Sequence, residues 1–81
     1  MNFIWPESAR ADLRAVDRET AMRVLSALTR YGESGEGDIK ALSGKWNGYF
    51  RLLVGELRVV FQIVTEEIAI LRVRHRSDVY R

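Results

Sequence analysis

Four arginines stand in the alternating, apolar C-terminal half of the chain: Arg51, Arg58, Arg72 and Arg74. The guanidinium group offers a planar fork of donors that matches the oxygens of a phosphate. The tail that follows adds polar and basic side chains against a single acid, Asp78: His75, Arg76, Tyr80 and Arg81. The pattern favours an anion site, with nucleic-acid phosphate as the preferred ligand. The alternative is a basic sheet face that is merely solvated.

Such a set could cleave RNA without a metal, through attack of the 2′-hydroxyl on the adjacent phosphate. That reaction needs a base, cations that stabilise the developing charge, and an acid for the leaving oxygen. Arg58 and Arg74 suit the charge-stabilising role, and Tyr80 could stack on a base or donate a proton. His75 is the only side chain of a type that normally exchanges a proton near neutral pH, although a lone histidine is more often structural or exposed.

Other chemistries find little support in the same residues. No paired carboxylates are expected on the arginine-bearing face, which disfavours a glycosidase or a two-metal nuclease. One histidine in the tail gives no specific basis for a serine-centred triad.

Three strands are predicted to position the arginines, because from residue 49 onward the apolar pattern has a period of two. They cover residues 49–54, 57–64 and 68–74, and Gly55-Glu56 forms a two-residue hairpin turn. One face of the first two strands is then wholly apolar and should receive the helices: Phe50, Leu52, Val54, Leu57, Val59, Phe61 and Ile63.

The length of the second turn decides which way the last strand faces. A three-residue turn, 65–67, places Arg58 opposite Arg74, with Arg72 beside them, and sends Ala69, Leu71 and Val73 into the core. We prefer this register because it keeps charge out of the core, and the predicted strands then contribute no acid to the face that carries the arginines. A one-residue change in the turn would exchange the two faces of the strand.

The first half of the chain predicts a short strand at 3–5 and two helices in a hairpin. Pro6 opens the first helix, Asp17 is a good N-cap for the second, and Gly32 is placed to end it. Residues 33–48 are rich in Gly and Ser and predict a loop. The expected fold is a single α+β domain over residues 1–81, ordered β-α-α-β-β-β, with the helix hairpin packed on an antiparallel sheet.

Composition narrows the functional classes. The chain has 81 residues and a formal net charge of +2, with no Cys and one His. These counts exclude disulfides, Cys-based zinc or iron–sulfur sites and His-rich metal sites, so we expect no metal and no cofactor. We see neither an export signal nor a run long enough to span a membrane, and we expect a cytoplasmic protein. A domain of this size without staples favours a stabilising partner chain.

Two stretches resemble the RelE/ParE superfamily of bacterial toxins. The first is LSGKWNGYFRLLVGELRVVF at 42–61, and the second is the ending LRVRHRSDVYR at 71–81. The resemblance covers essentially the whole chain and implies a microbial-ribonuclease-like α+β fold. It further implies a toxin of a type II toxin–antitoxin pair. RelE-like members cut messenger RNA in the ribosomal A site without metal, whereas ParE-like members poison DNA gyrase.

The resemblance also implies roles for particular residues. Arg51 and Arg58 match basic residues on the first and second strands of the hairpin. Either Arg74 or Arg76 matches the arginine of the last strand, with spacing in favour of Arg74. Tyr80 matches the tail tyrosine that stacks on the substrate base. Leu53 departs from the pattern, because it stands where the best-known RelE sequences carry another basic residue.

The expected function is therefore a ribosome-dependent mRNA endoribonuclease that inhibits translation. The expected partners are a cognate antitoxin, in a toxin–antitoxin hetero-oligomer, and the ribosome with its mRNA. The alternatives are a ParE-like inhibitor of DNA gyrase and a toxin-like domain without activity.

Overall fold

Two helices lie on one face of a five-stranded sheet in the computed structural model, which describes residues 2–75. The elements in chain order are β1 (Asn2–Ile4), α1 (Glu7–Arg14), α2 (Arg18–Ser34), β2 (Ile39–Ala41), β3 (Phe50–Val54), β4 (Leu57–Val64) and β5 (Glu67–His75). The α+β class, the two leading helices and the final three-strand meander are confirmed.

The sheet differs from the prediction at both edges. Its order is β1-β5-β4-β3-β2, and β1 runs parallel to β5, so the sheet is mixed. The predicted 33–48 loop contains β2, a three-residue strand that pairs with β3 through Ile39↔Leu52 and Ala41↔Phe50. A strand of three residues is too short to show an alternation of apolar and polar side chains. Its formation depends on β3, which supplies its hydrogen-bond partners.

Asp17 is the N-cap of α2, as predicted. Its carboxylate accepts a hydrogen bond from the backbone N–H of Thr20 at 3.2 Å and another from the Thr20 hydroxyl. These bonds favour the ionised form and hold the pKa of Asp17 below its usual value. The cap separates α2 from α1 and fixes where the longer helix begins.

The predicted end of α2 at Gly32 is wrong. The helix continues through Gly32 to Ser34 and is capped by Gly35, whose φ of 78° is left-handed. Gly32 instead permits a close approach, since a Cβ built there would lie 3.2 Å from Cζ of Phe3. The glycine therefore serves the packing of β1 against α2.

The core lies between the helices and the sheet. Its buried members are Ala9, Val24, Leu28, Leu52, Leu57, Val59, Phe61, Ile68, Ile70 and Val73. Phe61 is at its centre, with the ring of Tyr31 at 5.4 Å and the ring of Phe50 at 5.7 Å between centroids. All seven apolar residues predicted for this face of β3 and β4 are buried or packed against the core.

The turn between β4 and β5 has two residues rather than the predicted three. Val64 pairs with Glu67 and Phe61 with Ile70, so Ile68 and Ile70 face the core, and not the predicted Ala69 and Leu71. The register then shifts by one residue, and Val60 pairs with Arg72. Leu71 is the extra residue of this β-bulge. The bulge returns Val73 to the core and Arg74 to the opposite face.

Within residues 2–75, no helix combines the length and apolar character that crossing a bilayer requires.

Candidate functional site

The sheet surface that faces away from the helices carries five cations, and we call it the basic face: Lys40, Arg51, Arg58, Arg72 and Arg74. Directly paired residues share a face and form transverse rows across the strands. One row runs Lys40–Arg51–Val60–Arg72, and the next runs Leu53–Arg58–Arg74. Lys40 was not predicted on this face, because the sequence pattern predicts a loop at 33–48 where the structure has β2.

Arg58 on β4 lies directly opposite Arg74 on β5, as predicted. The predicted turn was wrong, but the bulge at Leu71 restores the same register. Both side chains are half-buried. Two guanidinium groups on adjacent strands, about 5 Å apart at the backbone, can address the oxygens of one phosphate together.

The prediction that the strands contribute no acid to the arginine-bearing face is wrong at one position. Glu67, which was assigned to the turn, begins β5 and shares this side of the sheet, although at the far end of the strand from Arg74. Two further acids that contact the arginines, Asp38 and Asp12, come from outside the sheet. They could not be seen by alternation along the strands, because that rule describes only the residues of the sheet.

Arg51 is paired with Asp38, which lies directly before β2. Its Nη1 is 3.6 Å from the Asp38 carboxylate and donates to the Asp38 carbonyl at 3.3 Å. The same carbonyl accepts from the backbone N–H of Leu53 at 3.0 Å. With 14% of its side chain exposed, Arg51 ties the start of β2 to β3 and presents little of its charge to a ligand.

Arg74 meets Asp12 of α1. Its Nε lies 3.3 Å from Oδ1 of Asp12, while Oδ2 accepts a hydrogen bond from the backbone N–H of Val73 at 3.0 Å. The Nε itself is buried and makes no well-aligned hydrogen bond, so the carboxylate supplies the compensating charge. Asp12 stands on the buried side of α1, three residues after Ala9, and a carboxylate in that position was the available sequence signal.

The remaining candidates lie at the end of β5. His75 is half exposed, and its Nε2 is 4.0 Å from the carboxylate of Glu56 in the β3–β4 turn. It pairs with the core residue Leu57 and so lies on the helix side of the sheet, whereas Arg58 and Arg74, one position along, face the other side. Arg76 and Tyr80 lie outside the described residues.

No group of three or more His, Asp or Glu side chains that could hold a metal ion occurs among residues 2–75. The arrangement that the structure does provide is a pair of adjacent arginines with one largely buried acid, Asp12, in contact with Arg74. Chemically, it can bind a phosphodiester and stabilise negative charge that develops on it.

A family model describes this sequence over nearly its full length. Residues 3–80 match the ParE toxin of the type II toxin–antitoxin system parDE. The chain belongs to this toxin family. A comparison with curated protein sequences found no match.

Solved structures of related toxins share the fold. The toxin resembles a chain of the RelB–RelE antitoxin–toxin complex from Methanococcus jannaschii at 22% identity, with a TM-score of 0.74 over 99% of this chain and 95% of the other. A YoeB/ParE toxin from Agrobacterium tumefaciens gives 17% identity and a TM-score of 0.79 over 93% and 98%. A YoeB–YefM complex from Staphylococcus aureus gives 17% and 0.78 over 93% and 95%. The RelE-like architecture expected from the sequence is therefore shown.

Proposed function

We propose that this toxin is a metal-independent, ribosome-dependent mRNA endoribonuclease that inhibits translation in the cytoplasm. The observation that carries the proposal is the Arg58–Arg74 pair on adjacent strands of the basic face. The similarity in fold to RelE and YoeB toxins supports it.

In this mechanism, Arg58 and Arg74 bind the scissile phosphate and stabilise the charge that builds up as the 2′-hydroxyl attacks. Charge stabilisation of this kind is usually the largest single contribution to such a reaction. Tyr80 is assigned to stacking on the neighbouring base or to donating a proton to the leaving oxygen, and Arg76 to supplying further positive charge. His75, half exposed at the end of β5, lies on the helix side of the sheet, so it is not placed to transfer a proton at a phosphate held by the two arginines.

Arg51 has a supporting role in this proposal. Because its guanidinium is held by Asp38 and is mostly buried, it contributes positive potential and keeps β2 in place. Lys40, its exposed neighbour on β2, offers a more accessible contact for the RNA backbone.

The partner that restrains the toxin is a cognate antitoxin in a hetero-oligomer. Two of the three structures compared above are toxin–antitoxin complexes. An acidic segment of the antitoxin would compete with RNA for the basic face.

A ParE-like inhibitor of DNA gyrase is the alternative: the family model bears the ParE name, whereas the similar structures include RelE and YoeB toxins. Such a toxin would bind its target without cutting RNA. The endoribonuclease would stop protein synthesis first, whereas the gyrase inhibitor would stop DNA synthesis first.

Pulse labelling separates them. After induction of the toxin without antitoxin, we expect incorporation of labelled amino acids to stop within minutes while thymidine incorporation continues. Purified toxin should also cut mRNA on ribosomes and leave the free transcript intact. Early arrest of DNA synthesis with intact mRNA would instead establish the gyrase function, and no arrest of either would indicate a domain without activity.

A further inference from the structure

One acid on α1 connects the helix layer to the arginine end of β5. Asp12 makes two contacts with consecutive residues of that strand, one to the backbone N–H of Val73 and one to the guanidinium of Arg74. Only 12% of its side chain is exposed. A carboxylate removed from water to this extent is costly unless charge or hydrogen bonds compensate it, and here it has both.

The hydrogen bond from the Val73 N–H accounts for the position of Asp12 along α1. β1 pairs with β5 only from Glu67 to Ala69, so the later part of β5 has no strand on its outer side among the described residues. Asp12 accepts the N–H of Val73 that would otherwise be left open at this edge. The carboxylate is thus fixed by the backbone before it meets Arg74.

The side-chain contact fixes the direction of the guanidinium. Asp12 holds the group at Nε, on its inner side, and Asp12 is the one described residue that contacts it by an ion pair or hydrogen bond. This leaves the terminal nitrogens as the part that can meet a phosphate. A long side chain that is held in advance loses less conformational entropy on binding and presents its donors in one geometry.

We propose that Asp12 is a positioning residue that orients Arg74 toward the substrate phosphate. This inference rests on the proposed role of Arg74. Asp12 does not touch the substrate, and its effect passes through the guanidinium.

Asp12→Asn is the sharpest test, because the amide oxygen of Asn can still accept the Val73 N–H while the negative charge is lost. With purified protein and programmed ribosomes, we expect kcat for mRNA cleavage to fall about 10- to 100-fold, with KM changed much less. The NMR signal of the Arg74 Nε–H should shift and exchange faster with water. Glu7→Gln is the matched control, since it removes a carboxylate from the same helix at an exposed pair with Arg14, and it should cleave at the wild-type rate.

A double-mutant cycle separates positioning from a structural role. In an Arg74→Ala background, Asp12→Asn should cause no further loss of cleavage, because the group that it orients is gone. Equal losses in both backgrounds, or a wild-type rate for folded Asp12→Asn, would overturn the proposal.

Failure of the proposed function gives a different result. If the wild-type toxin cuts no ribosome-bound mRNA, the same cycle is measured as potency of growth arrest, which does not depend on the target. Non-additive loss of potency together with the shifted Nε–H signal would then retain Asp12 as the positioning residue of Arg74. An unchanged Nε–H signal would reject it whatever the activity of the toxin.

Discussion

At the scale of single residues, the arginines of the basic face are not equivalent. Arg51 is tied to Asp38 and mostly buried, whereas Arg74 is 37% exposed and held from behind by Asp12. Arg58 lies beside Arg74 on the neighbouring strand. Exposure and partners thus distinguish a structural arginine from those able to bind phosphate, although all of them look alike in the sequence.

Replacement of Arg58 tests whether the fork of donors matters or only the charge. We expect Arg58→Ala to lower the cleavage rate about 10²–10³-fold, and Arg58→Lys to recover little of it, because a lysine cannot make the two parallel bonds of a guanidinium. Single-turnover cleavage of ribosome-bound mRNA measures both variants.

Thermal melting of the same proteins shows whether the effect is local. Arg58 faces away from the core, so both variants should unfold within a few degrees of the wild type. Arg30→Ala, which removes an exposed arginine from α2, is the control for net charge and should cleave normally. Wild-type activity in Arg58→Lys would mean that Arg58 supplies only general charge.

At the scale of elements, the β4–β5 hairpin shows how a fold can reach a predicted face by an unpredicted route. A two-residue turn alone would have sent Arg72 and Arg74 into the core. The bulge at Leu71 corrects the register halfway along the strand. Two irregularities therefore cancel, and the charged residues remain outside.

The turn between β4 and β5 contains one residue with a strained backbone conformation. Thr65 has a φ of 59°, a left-handed conformation that β-branched residues disfavour. Thr65→Asn should relieve about 1 kcal/mol and raise the melting temperature by about 4–8 °C, because Asn tolerates this region. Thermal unfolding followed by circular dichroism measures the change.

Thr65→Val provides the comparison, since it keeps the branch at Cβ and should give no gain. A stabilisation of the same size in both variants would trace the effect to loss of the hydroxyl and not to the backbone.

At the scale of the whole molecule, charge is distributed unevenly. The formal net charge is only +2, from 13 Lys and Arg against 11 Asp and Glu, yet the basic face collects five cations on one side of the sheet. A small core without disulfides accompanies this surface. Both features favour an acidic partner chain that covers the face and stabilises the fold.

We expect saturating antitoxin to raise the melting temperature of the toxin strongly. Ligand at a thousand times its Kd adds about 4 kcal/mol, which for a domain of this size corresponds to roughly 15 °C or more. Differential scanning calorimetry of the toxin with and without antitoxin measures the shift.

The control is an antitoxin whose toxin-binding segment has Asp and Glu replaced by Asn and Gln, and it should give a much smaller shift. An unchanged melting temperature with saturating native antitoxin would contradict a stabilising partner. An equal shift with the neutralised segment would show that binding does not use the charge of the basic face.

The sequence alone determined the features that depend on neighbours along the chain. Alternation in β3 and β4 assigned each side chain to a face, because successive residues of a strand point in opposite directions. The Gly55-Glu56 turn then fixed the pairing of Leu53 with Arg58. Asp17 predicted the start of α2, because its N-cap hydrogen bond reaches only three residues along the chain.

The tertiary structure decided the features that depend on distant partners. β2 forms because β3 supplies its hydrogen-bond partners. The bulge in β5 follows from the packing of the sheet, since without it Arg72 and Arg74 would face the core. Asp12 meets Val73 across 61 positions of the chain. No local pattern encodes such a contact, since it arises only when α1 packs on β5. That packing brings the carboxylate of Asp12 against Arg74.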